Sequence, residues 1–135
     1  MYIAQAMDGS SQGEPVTLQR LLGYVMAPVT WMIGIPWSES MTAGFLLGEK
    51  TVLNELIAYL DMARLPAGSL SARSQIIMVY ALCGFANLAS LGILIGGMAA
   101  MVPARRGEIV SLGFKSILCG TMATCMVGAI VGLLL

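Results

Sequence analysis

Residues 74–104 read SQIIMVYALCGFANLASLGILIGGMAAMVPA, thirty-one residues without a charged side chain. A helix crosses the hydrocarbon core of a bilayer with about 20 apolar residues, so this stretch is long enough to span. Gly84, Asn87, Ser90 and Gly92 nevertheless interrupt the apolar run near its centre. Unwinding at such a point frees backbone groups for a ligand or an ion, and the pattern predicts a discontinuous transmembrane helix. A plain spanning helix carrying a few small residues is its competitor.

Downstream, Pro103, Arg105 and Arg106 mark a short polar turn, and residues 116–135 then run without a charge, which predicts a final transmembrane helix. The Arg105, Arg106 and Lys115 cluster places that turn on the cytoplasmic side by the positive-inside tendency. Upstream, Ser69 or Ser71 is placed to cap the start of the interrupted helix. Residues 37–65 are only half as apolar, with Glu39, Glu49, Lys50, Glu55, Asp61 and Arg64 spread through them. One continuous crossing would bury too many charges. Splitting the stretch at Gly48–Thr51 gives two short segments of about ten to fourteen residues, the length of re-entrant elements, and predicts a re-entrant helical hairpin. Such backbone is tolerated at membrane depth only beside protein or a water-filled cavity.

Residues 21–38 lack charge but are broken by Gly23, Pro28, Gly34 and Pro36 and end near Trp31 and Trp37. Tryptophan favours the headgroup level, so an interfacial or partly inserted helix is expected there. Residues 1–15, with Asp8, Gly9, Ser10, Ser11, Gly13, Glu14 and Pro15, read as a polar connector without the features of a cleaved leader. The expected fold is therefore an all-α membrane protein: interfacial helix, re-entrant helical hairpin, discontinuous transmembrane helix and final transmembrane helix, occupying residues 16–135.

Composition agrees. Of the 135 residues, 58% are hydrophobic and 10% charged, and seven basic side chains balance seven acidic ones. That balance removes any argument for a nucleic-acid surface. Cys83, Cys119 and Cys125 form no CxxC pair and the chain has no histidine, so no zinc site is expected and the thiols read as small packing residues. Gly48, Glu49, Lys50, Thr51 imitate a phosphate loop, but Glu49 stands where that motif requires glycine. No HExxH occurs and no histidine is available for general-base work, so no enzyme constellation is expected.

Glu55 is the foremost candidate for function. Preceded by Asn54 and flanked by Leu53, Leu56 and Ile57, it is a carboxylate in an apolar neighbourhood, and ionisable groups at membrane depth usually mark a substrate or ion path. Its bland alternative is an interfacial carboxylate that snorkels or pairs with Lys50. Phe85, Asn87 and Ser90 put an aromatic face, an amide and a hydroxyl within two helical turns. With Glu55 they could stack on a nucleobase and bond a ribose, although Asn87 and Ser90 could equally bond a neighbouring helix. Gly92 and Gly96 supply small-xxx-small spacing, whose default reading is helix packing.

Two strings carry a resemblance. Asn54-Glu55-Leu56-Ile57-Ala58-Tyr59 resembles the Asn-Glu-Phe-Val-Ala-Tyr string of concentrative nucleoside transporters, and Ala81-Leu82-Cys83-Gly84-Phe85-Ala86-Asn87 matches their Ala-Leu-Cys-Gly-Phe-Ala-Asn string. Gly23-Tyr24, the 31–37 stretch, Ile95-Gly96-Gly97 and the 103–106 stretch follow the same family order. The resemblance covers residues 16–135 and implies the C-terminal part of a transport domain. It implies that Glu55 contacts the ribose and that Phe85, Asn87 and Ser90 line the nucleoside pocket. Leu56, Leu88 and Ala89 depart from the common pattern, which bears on pocket shape.

The same resemblance implies a multi-pass protein of the cell inner (plasma) membrane, a nucleoside substrate, no cofactor, and sodium or a proton as coupling ion in the complete transporter. It further implies a homotrimer and an N-terminal half holding the first hairpin, the opposite wall of the pocket and the cation residues. The rival reading is a non-transporting membrane subunit or assembly partner. Upstream DNA encoding a hairpin with a Gln-Thr-Glu string would favour the transporter.

Overall fold

The computed structural model describes residues 18–135, with side-chain surroundings from residue 21 onward, so the connector expected at 1–15 lies outside the described residues. Among the described residues every regular element is a helix: α1 Leu18–Met32, α2 Trp37–Val52, α3 Glu55–Ala63, α4 Ala72–Leu82, α5 Leu88–Met101, a 3-10 turn Pro103–Arg105, and α6 Arg106–Leu134. Helix α6 with the turn before it is long and apolar enough to cross a membrane, and it begins ten residues earlier than the charge-free stretch predicted.

Helices α1 and α2 lie antiparallel and very close. A Cβ at Gly44 would stand 2.7 Å from the Gly23 carbonyl oxygen and the Ala27 nitrogen, and one at Gly48 would meet Leu22 Cβ at 3.0 Å. Gly44 and Gly48 face Gly23 and Ala27, small-xxx-small spacing on both helices, which lets the backbones touch. Between them the chain turns through a glycine C-cap. Gly34 takes φ of 101°, its N–H bonds Trp31 O at 3.0 Å, and the Ile35 N–H bonds Thr30 O at 3.2 Å. This paired pattern satisfies carbonyls that the helix end leaves over, and Pro36 then prevents continuation.

The expected division of residues 37–65 is corrected in position. The helix runs through Gly48–Thr51 and ends at Val52, and the chain is interrupted at Leu53–Asn54. Gly48 is there because α1 lies against it, rather than to make a turn. Helix α3 packs back against α2, bringing the side chains of Glu49 and Asp61 together. Asn54 starts α3 by accepting the Ile57 N–H at 3.0 Å, a cap worth about 1 kcal/mol.

The stretch expected to form a discontinuous helix is divided at residues 83–87, between α4 and α5. Ser71 caps α4 by accepting the Ser74 N–H. Ser90 and Gly92 lie inside α5 rather than in the break. Helix α4 packs on α6 through Gly128 and Gly132, whose added Cβ atoms would stand 3.0 Å from Ile77 O and 2.9 Å from Ile77 Cδ1. Arg73 joins the turn between α1 and α2 to the end of α6, donating to Gly34 O and to Gly132 O at 2.6 Å each. The latter is one of the last carbonyls of α6, where a cation is favoured.

The core gathers Ile35, Leu46, Leu47, Ile77, Met78 and Leu82 from α2, α4 and the turn before α2. Two packing expectations are not met within the described residues. Gly92 and Gly96 meet nothing within 4 Å among the described residues, so their face of α5 is open in this segment. Of the three thiols only Cys125 is buried, while Cys83 and Cys119 are exposed.

Candidate functional site

Asn54 and Asn87 build the site by the same local means. Each has extended backbone and stands just before a helix. Asn87 accepts the Ser90 N–H on its Oδ1 at 2.7 Å, which fixes the amide plane and leaves its Nδ2 free to donate elsewhere. It donates to Glu55 Oε2 at 3.2 Å, joining the start of α5 to the start of α3. Two helix N-termini therefore converge on one carboxylate. Glu55 lies in the first turn of α3, where the helix dipole stabilises its charge.

The four residues singled out by sequence have distinct placements. Asn87 is fully buried, Glu55 and Ser90 are half-buried, and the Phe85 ring is 79% exposed as it leaves the break. Glu55 and Asn87 are in direct contact, and Ser90 is held to Asn87 through its backbone N–H. Phe85 belongs to the same short segment, its carbonyl accepting the Asn87 N–H at 2.9 Å. An ionised carboxylate has acceptor positions for several donors, of which Asn87 fills one. The rest suit hydroxyl donors, and an open aromatic face nearby suits a planar ring.

The bland reading of Glu55 does not hold in its ion-pair form. Ion pairs among the described residues are Asp61 with Arg64 and Arg105 with Glu108, and Lys50 pairs with neither Glu49 nor Glu55. The bland reading of Asn87 is half right: it bonds across to another helix, but its partner there is the candidate carboxylate.

Sequence reasoning missed Lys50. Its side chain is wholly buried, and its Nζ donates to Ala81 O at 3.4 Å and to Thr124 Oγ1 at 3.2 Å. The signal was present in the helical period, because Ala43, Leu46, Leu47 and Lys50 recur at the three- and four-residue spacing of one face, and all four are 0% exposed. Glu49 was missed with it: it is 6% exposed, and its Oε2 is buried with no hydrogen-bond partner among the described residues.

A long apolar helix, a helix interrupted at a buried amide, and a carboxylate held between two helix starts are features that membrane transport proteins share. The chain matches the family described as Na+ dependent nucleoside transporter C-terminus over residues 2–132. It is 40% identical over 124 residues to the nucleoside permease NupC of Helicobacter pylori, covering 89% of this chain and 30% of that protein. It is 42% identical over 118 residues to the uncharacterized transporter YutK of Bacillus subtilis, covering 87% and 29% respectively. Among solved structures it is similar to CNTnw in an inward-facing substrate-bound state, with a TM-score of 0.77, 42% identity, and coverage of 87% of this chain and 29% of that one.

This chain belongs to the concentrative nucleoside transporter family and corresponds to its C-terminal region. It spans less than a third of the length of these relatives, which are permeases and transporters and not enzymes.

Proposed function

We propose that this chain is the C-terminal transport-domain segment, residues 16–135, of a cation-coupled nucleoside symporter, and that it forms half of the nucleoside pocket. Glu55 accepts ribose hydroxyls, Asn87 orients Glu55 and contributes to the ribose contact, Ser90 adds a hydroxyl, and Phe85 stacks on the base. The Asn87–Glu55 hydrogen bond carries the reading, since it supplies a charged acceptor held between two helix starts beside an exposed ring. The interruption at 53–54 is the tip of the re-entrant hairpin, and α4 with α5 is the discontinuous transmembrane helix of the pathway. The opposite wall of the pocket and the cation residues belong to the N-terminal half of a complete transporter. Sodium or a proton is the coupling ion; the description of the matched family favours sodium. The complete protein is multi-pass, resides in the cell inner (plasma) membrane and assembles as a homotrimer.

Uridine uptake into vesicles carrying the complete transporter tests this. Glu55→Gln preserves shape but removes the charge that strengthens each hydroxyl contact, and uptake at low uridine should fall at least about tenfold. Unchanged uptake would remove Glu55 from the pocket.

A further inference from the structure

We propose that Lys50 is a tethered cation for the interrupted helix. Its ammonium stands in for the backbone N–H that Ala81 loses at the break, and so sets where Asn87 meets Glu55. In a continuous helix the Ala81 carbonyl would accept the Phe85 N–H. Here Cys83 N–H bonds Tyr80 O, Gly84 N–H bonds Leu82 O and Asn87 N–H bonds Phe85 O, so no backbone donor of the break reaches Ala81. A buried carbonyl without a partner is costly, and Lys50 Nζ fills the vacancy at 3.4 Å.

The surroundings fit a cation and are built for one. The last turn of α4 presents the negative end of its dipole. Thr124 Oγ1 donates to Thr121 O at 3.0 Å, so its lone pairs are free to accept from Lys50. Gly84 brings the break down onto this point: a Cβ there would stand 2.6 Å from Thr124 Cγ2 and 3.8 Å from Lys50 Nζ. The charge has no carboxylate within ion-pair distance among the described residues, so carbonyl and hydroxyl dipoles are what hold it. Unwound carbonyls and half-helix C-termini are where secondary transporters seat a mobile coupling ion. At this break the chain supplies its own ammonium from the facing helix, which keeps the position filled throughout a transport cycle and ties α2 to both α4 and α6. Lys50 is thus a positioning residue that reaches substrate only through the break and Asn87.

The inference rests on the transport reading above, and wild-type uridine uptake by the complete transporter separates the two: a wild type that moves no nucleoside fails that reading and not this one. With an active wild type, Lys50→Met should weaken uridine binding to the purified protein at least about tenfold, the effect of losing a charged hydrogen-bond donor. Lys50→Ala should regain binding with added propylammonium, and not with tetramethylammonium, which has no N–H to donate. Wild-type affinity in Lys50→Met, or no gain with propylammonium, overturns the proposal. Where the lysine variants do not fold, Thr124→Val serves. It keeps shape, removes one acceptor and should weaken uridine binding several-fold; unchanged affinity overturns the proposal.

Discussion

The two interruptions of the chain, at Leu53–Asn54 and at residues 83–87, begin alike and are supported differently. Each ends in an asparagine that caps the helix behind it, Asn54 for α3 and Asn87 for α5. At the first, the preceding helix closes on itself, the Leu53 N–H reaching Glu49 O at 2.8 Å. At the second, the Ala81 carbonyl is held by a side chain thirty-one positions away in sequence. A break that satisfies itself locally is cheap and can be read from a short string. A break that draws a partner from another helix is fixed only once the helices have packed.

Asn87→Ala breaks this comparison most severely, because Asn87 serves both as a cap and as the donor to Glu55. Losing a cap costs about 1 kcal/mol and losing a bond to a charged group about 1.5–3 kcal/mol. In the complete transporter the unfolding midpoint should fall and the uridine dissociation constant should rise well over tenfold. Asn54→Ala sharpens it with the smaller effect. That variant loses only a cap, so stability should drop by about 1 kcal/mol while uridine affinity changes by less than about threefold. Thermal unfolding and equilibrium uridine binding on the same preparations measure both. Equal losses of affinity in the two variants would mean that the two asparagines do the same work.

Much of this was legible in the sequence, and the limits have physical causes. The interruption could be read because Gly84 and Asn87 stand inside an uncharged run, although Ser90 and Gly92, read together with them, lie within α5. Glu55 could be read because a carboxylate among aliphatic residues is expensive. The interruption was expected at Gly48–Thr51 and lies at Leu53–Asn54, since Gly48 looks the same whether it makes a turn or admits the neighbouring α1 backbone. The same ambiguity runs the other way in α5, where Gly92 and Gly96 have packing spacing but no neighbour in this segment. Small-residue spacing marks a face that can be approached closely and says nothing of which helix approaches it. Lys50 escaped because charge normally signals the surface, although its period with Ala43, Leu46 and Leu47 placed it inside.

The central claim is that a nucleoside sits against the Glu55–Asn87 pair, and a structure of the complete transporter with bound uridine tests it most directly. The account predicts ribose hydroxyls within hydrogen-bond distance of the Glu55 carboxylate and the base against the Phe85 ring. Uridine bound elsewhere, with the Glu55–Asn87 pair making no contact to it, would contradict the account.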